Sequence, residues 1–372
     1  MNKKLLTFIG IIIFILAVIL VVRPHSVQKS KEDIKIGFFG PLSGETAPYG
    51  EPALRGLTIA ADEINKQGGI DGRKIIIIAE DSKCSGKDAT TAVQKLINID
   101  RVDYFIGGSC SSEVLAVTDL MKASDKLLIS PFASSTQIAG KGVFRVVPSD
   151  SESGPFMAQY FIKKYKTMAI ITEQTDYGTA LRDALVTPYE AAGGIVVSSE
   201  GFAPGTTDYR TILQKIKTTN PEILFINPQS GAAGARIAKQ ARELGIQTQF
   251  ATYFITGNDF TSEPASNGTI LFDIPSLVSN QKSTDFTQTY ITQYGKPSYP
   301  FAAGSAYDIL HVLKQSIEKV GTDNEKIRNY LYTMPVYSGL VGTFSFNNQG
   351  DTKGLGYTVL QVENGKLIPK ND

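Results

Sequence analysis

The sequence predicts an α/β protein made of two doubly wound units with parallel central sheets. From Asp33 onward, short β-branched runs alternate with amphipathic stretches of helical period. The alternation pauses at the loop Pro148 to Ser153 and then restarts, and a chain of 372 residues exceeds one average domain.

Ile34 to Phe39 reads as the first strand. Pro52 to Asn65 places Ala53, Leu54, Leu57, Ala60, Ala61 and Ile64 on one helical face and stops at Gly68-Gly69. Strand Lys74 to Ala79, helix Asp88 to Ile99, strand Tyr104 to Ile106, a helix from Ser112, and strands Leu127 to Ser130 and Val143 to Val147 complete the first unit. The second runs through a helix from Pro155, strand Met168 to Thr172, helix Gly178 to Ala192, strand Ile195 to Ser198 and helix Tyr209 to Thr218. Strand Ile223 to Ile226, helix Ala232 to Leu244 and a strand near Phe250 follow. Helices Ala302 to Val320 and Lys326 to Leu331 come next. A hairpin of Gly342 to Phe346 with Tyr357 to Val362, turning at Asn347 to Asp351, closes the chain.

Ahead of this pattern, Lys3 and Lys4 precede an apolar run from Leu5 to Val22, broken only by Thr7 and Gly10. As a helix it spans roughly 27 Å, enough to cross a bilayer. It ends Val21-Val22-Arg23-Pro24 with neither a small-x-small cleavage site nor a Cys for lipid attachment. Residues 1–23 therefore read as a membrane anchor, an uncleaved signal, with a signal peptide of atypical cleavage site as the alternative; 24–32 read as a linker. Only four residues precede the run, which places the globular part on the extracytoplasmic side, periplasmic or at the cell surface.

The formal charge of +1 conceals an asymmetry, because residues 33–372 hold 32 basic and 35 acidic side chains. Nucleic acid is excluded as a partner, since phosphate recognition needs a concentrated basic face. Catalysis has little support either. His25 lies beside the anchor, His311 sits between apolar Leu310 and Val312, and no Gly-x-Ser-x-Gly, His-Glu-x-x-His or phosphate loop occurs. No Cys/His cluster calls for a metal, and no motif calls for a cofactor. Cys84 and Cys110 each follow a strand-like run, at the same end of neighbouring strands, so a bridge between them is geometrically accessible; two free thiols are the alternative.

Binding has more support. Strand Tyr104 to Ile106 runs into Gly107-Gly108-Ser109-Cys110-Ser111-Ser112, and strand Leu127 to Ser130 into Pro131-Phe132-Ala133-Ser134-Ser135-Thr136. Each unit puts hydroxyls and free N–H groups at a helix N-terminus at the carboxyl end of a strand, where such sheets bind ligands. Two of them facing one crevice suit an anion, most simply a carboxylate, whereas either alone reads as a helix cap. Tyr49-Gly50 and Tyr177-Gly178 fall in equivalent strand-to-helix loops of the two halves.

Ile34-Lys35-Ile36-Gly37, Pro41-Leu42-Ser43-Gly44, Tyr49-Gly50, Ile64-Asn65-x-x-Gly68-Gly69-Ile70-x-Gly72, Cys110-Ser111-Ser112, Ile129-Ser130-Pro131, Asp176-Tyr177-Gly178 and Gln240-Ala241-Arg242-x-Leu244-Gly245 occur in this order. Together they resemble the branched-chain amino acid (Leu/Ile/Val) type of periplasmic solute-binding protein, over about residues 33 to 365.

The resemblance implies a type I periplasmic binding fold. Two lobes, 33–148 plus 277–342 and 149–276 plus 343–372, would be joined by three crossovers, with the ligand held in the cleft between them by hinge closure. It implies a monomeric ABC-importer component that presents a small carboxylate or amino acid to a membrane permease. A ligand-sensing ectodomain signalling through a partner membrane protein is the alternative. Cys84 and Cys110 match the family's disulfide. Ser111 and Ser134 would hold the ligand carboxylate, with the backbone around Phe132; Tyr49, Tyr177 and Phe301 would wall the cleft. Asp150 would lie at the first crossover, and Ser230 where relatives often carry Tyr. After the strand at Phe250, amino acid binders carry a Glu for the ligand ammonium, but this chain reads Ala251-Thr252-Tyr253-Phe254-Ile255. That departure makes a carboxylate without an α-ammonium the expected ligand, with Phe254 lining the cleft.

Overall fold

A computed structural model describes residues 32–255 and 258–370. The expected anchor at 1–23 and the linker as far as Lys31 lie outside the described residues. Among the described residues, no helix is long and apolar enough to cross a membrane.

The first sheet is entirely parallel, in the order β2-β1-β3-β4-β5. Its strands are β1 (Ile34–Gly40), β2 (Ile75–Asp81), β3 (Tyr104–Gly107), β4 (Leu127–Ser130) and β5 (Phe144–Arg145). Successive side chains of a strand point to opposite faces, and this sheet is covered on both. Ile34, Ile36, Phe38, Tyr104, Ile106, Leu127 and Ile129 pack with α1 (Ala47–Lys66) and α10 (Pro300–Val320). Phe39, Phe105 and Leu128 pack with α2 (Gly86–Asn98) and α3 (Ser111–Ala123). The α1 and α10 backbones nearly touch: a Cβ on Gly56 would stand 2.0 Å from the Ala303 carbonyl oxygen, so only glycine fits there.

The second sheet has the order β15-β14-β10-β9-β8-β6-β7. Strands β6 (Thr167–Glu173), β7 (Ile195–Phe202), β8 (Ile223–Asn227), β9 (Gln249–Tyr253) and β10 (Ile270–Asp273) are parallel. Met168, Ile170, Ile223, Phe225 and Phe272 share a core with α4 (Asp150–Ile162) and α5 (Asp176–Ala191). Ala169, Ile171, Leu224, Ile226 and Phe250 pack with α6 (Arg210–Thr218) and α7 (Gly231–Glu243) on the other face. This sheet is parallel at its centre, as expected, and departs from that at one edge, where β14 (Thr358–Glu363) and β15 (Lys366–Pro369) form an antiparallel hairpin whose β14 pairs with β10.

The predicted closing hairpin is corrected as well. The turn at Asn347 to Asp351 is present, but it joins β12 (Thr343–Phe346) to the two-residue β13 (Thr352–Lys353), not to Tyr357 to Val362. Strand β11 (Tyr337–Ser338) flanks β12, and this small sheet sits against β5: Phe346 meets Phe144 at 5.2 Å, and Asp351 pairs with Arg145. Residues 343–353 therefore pack against the first sheet, and the chain next joins a sheet at β14, in the second. Three more segments escaped the sequence pattern: β10, the short α8 (Asn258–Ser262) and α9 (Gln281–Tyr294). Helix α11 (Asn324–Thr333) contains the predicted Lys326 to Leu331. Helix α1 begins before Pro52, so Tyr49-Gly50 lies in its first turn and not in a loop; Tyr177-Gly178 likewise lies in the first turn of α5.

Candidate functional site

The first half of the site is the turn from β3 into α3. Gly108 has φ +71°, and a Cβ there would meet Val114 Cγ2 at 2.4 Å, so the turn requires glycine. Its backbone is fixed on both sides, because Gly108 N–H donates to Phe39 O at 2.7 Å and Ser130 Oγ donates to Gly108 O at 2.7 Å. Cys110 caps α3 and is disulfide-bonded to Cys84, with a Cα–Cα distance of 5.4 Å. Glu113 stitches both half-cystines together. Its carboxylate accepts from Ser82 Oγ (2.5 Å) and from the N–H groups of Cys84 and Cys110 (2.9 Å each). Burial nevertheless pushes Glu113 up to about 7. The Ser111 and Ser112 amides, in the first turn of α3, have no intrahelical acceptor.

The second half is the loop 131–136. It was expected to enter a helix, but it leads only into one 3₁₀ turn, Thr136–Ile138. Its anchor is Arg145, wholly buried, which donates to Ala133 O (3.3 Å), Ser135 O (2.7 Å), Ser149 Oγ (2.8 Å) and Asp351 Oδ1 (2.7 Å). Ser135 N–H donates to Ser111 Oγ at 3.2 Å and joins the two halves. Ser134 Oγ donates to Asp150 Oδ2 at 3.1 Å, and Asp150 N–H donates to Ser134 O at 2.9 Å. Asp150 is pushed up to about 7 by burial, against the opposing pull of Arg145 and the Ser134 and Ser153 hydroxyls.

These halves meet the second lobe around a cavity of ≈ 20 Å³, room for one water-sized occupant. Tyr49, Ser109, Cys110, Ser111, Phe132 and Ser134 line it from one side, and Tyr177, Pro228, Gln229 and Phe254 from the other. The lining has no charged side chain. Its walls are aromatic: Phe132 lies 5.4 Å from Tyr49, 5.2 Å from Phe254 and 5.1 Å from Tyr299, and Tyr49 OH donates to Phe254 O at 3.2 Å. Burial, with Asp150 and Tyr49 nearby, holds the Tyr177 phenol well above its ordinary value.

Of the residues chosen from sequence, Tyr49, Ser111, Phe132, Ser134, Tyr177 and Phe254 therefore share one cavity. Asp150 stands behind it, reaching it through Ser134. Phe301 is one ring further out, 6.4 Å from Phe132. Ser230 is not part of the lining; it caps α7 and donates to Glu45 Oε2 at 2.9 Å. Glu45, just before α1, also accepts from Nη1 and Nη2 of Arg236 at 3.0 and 2.9 Å, so it ties the first lobe to α7 of the second. Sequence reasoning missed Glu45, Gln229, Tyr299 and Asp273. It also missed Ser109, which was inside a motif that was singled out. Asp273 accepts from Tyr299 OH at 2.8 Å and is pushed up to about 7 by burial. His311 lies tilted against Tyr307 with ring centroids 4.5 Å apart, and burial pushes it down to about 4.

Comparison with known proteins matches residues 33–366 to the periplasmic binding protein family. The leucine-, isoleucine-, valine-, threonine- and alanine-binding protein of Pseudomonas aeruginosa is 26% identical over 345 residues, covering 90% of this chain and 91% of that one. The Leu/Ile/Val-binding protein of Escherichia coli is 28% identical over 340 residues, covering 88% and 90%. Among solved structures, a branched-chain amino acid transporter substrate binding protein from Streptococcus pneumoniae, in complex with isoleucine, superposes with a TM-score of 0.81 at 25% identity, covering 90% and 97%.

Proposed function

The chain belongs to the periplasmic binding protein family, in its branched-chain amino acid branch, and from that premise we propose that it is the extracytoplasmic solute-binding component of an ABC importer. The family is one of solute-binding proteins, not enzymes. The observation that carries the reading is the meeting of the Ser111 and Ser134 hydroxyls and the first turn of α3 at one uncharged cavity between the lobes. Hydroxyls and unpaired amides at a helix N-terminus, sheltered from water, favour a carboxylate. The relatives' binding of branched-chain amino acids supports a small carboxylate or amino acid as the solute.

In this reading the lobes hinge at residues 146–149, 274–280 and 354–357, where the chain passes between the sheets. The apolar run 5–22 tethers a monomer to the membrane beside its permease. Native mass spectrometry of the full-length protein tests the core of the proposal. It should show a retained small acid that Ser111→Ala and Ser134→Ala both release, and conversion of that acid into a product would overturn the reading. Cell fractionation tests the tether: the protein should stay with membranes with residues 1–22 attached, and a soluble form beginning near residue 24 would refute it.

A further inference from the structure

Ser109 is 4% exposed and lines the cavity beside Ser111 and Ser134, yet its Oγ has no hydrogen-bond partner among the described residues. A buried hydroxyl in that condition loses its bonds to water and gains none. The backbone that carries it is held on both sides. Gly108 before it is bonded through both its N–H and its carbonyl and packed against Val114, and Cys110 after it is held by the disulfide and by Glu113. Ser111 Oγ already accepts from Ser135 N–H, and Ser134 Oγ already donates to Asp150. Ser109 thus offers the cleft a hydroxyl with both its donor and its acceptor capacity uncommitted.

The lining lacks any carboxylate, and the buried acids near it are engaged from behind. Asp150 takes Ser134 and Ser153, Glu173 takes Gln229 N–H at 2.7 Å, and Asp273 takes Tyr299 and Ile274 N–H. A buried ammonium would contact no opposite charge, an arrangement that is strongly disfavoured. An uncharged oxygen on the ligand's α-carbon would instead satisfy Ser109. We propose that Ser109 hydrogen-bonds such an oxygen, so that the site takes α-hydroxy or α-oxo carboxylates in preference to α-amino acids. This inference rests on the solute-binding reading and names its substrate class.

Calorimetric titration of the full-length protein with isocaproate, α-hydroxyisocaproate, α-ketoisocaproate and leucine changes only the α-substituent. The hydroxy or oxo acid should bind tightest, and Ser109→Ala should weaken it about ten- to hundredfold more than it changes the binding of isocaproate. Ser111→Ala should weaken every acid. If leucine binds tightest, or if Ser109→Ala weakens all acids equally or none, the inference falls while the solute-binding reading stands. If no acid binds and Ser111→Ala has no effect, both fall together.

Discussion

Glu45 joins two elements that belong to different lobes, so its removal should act on closure more than on folding. The contact is a bidentate pair with Arg236 plus a bond from Ser230, all within 3.0 Å. Glu45 is 51% exposed and Arg236 31%, so solvent screens the pair and its worth must be discounted to the upper end of the surface range, about 1 kcal/mol. Because the pair can form only with the lobes together, that energy appears in ligand affinity as about a fivefold rise in Kd for Glu45→Gln. Calorimetry on Glu45→Gln, Arg236→Met and the double variant forms a cycle whose coupling should be about 0.5–1 kcal/mol. The coupling should shrink between low and high salt. Glu45 is held below its ordinary value, chiefly by its hydrogen bond with Arg236. Its contribution is therefore present at neutral pH and lost as pH falls through the carboxylate range. Additive single effects, a coupling near zero, would refute the latch.

Ser111→Ala and Ser134→Ala should each weaken carboxylate binding by roughly 1.5–3 kcal/mol, and both should also lower the melting temperature, because they leave the buried Ser135 N–H and the buried Asp150 short of a partner; calorimetry and thermal melts check both, and lowered stability with unaltered affinity would confine the serines to a structural role. Peptide mapping under non-reducing conditions should recover Cys84 joined to Cys110, and reduction should lower stability by about 3 kcal/mol on the chain-entropy account. Asp150 and Asp273, each pushed up to about 7 by burial, add stability that is whole below the unfolded Asp value near 4. That stability is lost as pH rises through 7, so denaturant melts should show a decline from pH 5 to 8 that Asp273→Asn reduces. A protonated Asp150 also leaves the Ser134 hydroxyl free to face a ligand carboxylate. Affinity should therefore fall above about pH 7, and Asp150→Asn should flatten that dependence.

The architecture was legible where burial on both faces of a sheet writes an unbroken apolar run. Ile223 to Ile226 is such a run, Ile34 to Phe39 is nearly one, interrupted by Lys35, and each found its strand. Helix α9 escaped because it buries only Ser283, Phe286 and Tyr290 in 14 residues, too few apolar positions to give a helical period. The final hairpin failed for a different reason. Asn347 to Asp351 carries a genuine turn signal, but the strand it serves is two residues long, and the next β-branched run, Thr358–Glu363, was the more conspicuous partner. Turn chemistry is local, whereas pairing is decided by a distant sheet edge, here β10.

The site divides along the same line. Ser111, Ser134, Tyr49 and Tyr177 lie at the carboxyl ends of strands or in the first helical turn after them, a position that by itself also suits caps or core; that they share one crevice is what the family resemblance implies. Glu45 and Arg236 are 191 residues apart, and Asp273 reaches Tyr299 across the second crossover; no spacing rule links such pairs. Phe254 shows what the substitution at the expected amine position does physically. It adopts φ +52°, a conformation that costs a non-glycine residue energy and persists only where the surroundings hold it. What holds it comes from both lobes: Phe132 against its ring, Tyr49 OH on its carbonyl, and Phe272 O accepting its N–H. One aromatic core thus runs from Tyr299 through Phe132 to Phe254 across the cleft. With room for one water-sized occupant between them, these rings must part, by hinge opening or side-chain rotation, to admit a leucine-sized carboxylate. The ligand must therefore replace their apolar contacts as well as satisfy the serines, which favours an acid with a branched or aromatic body.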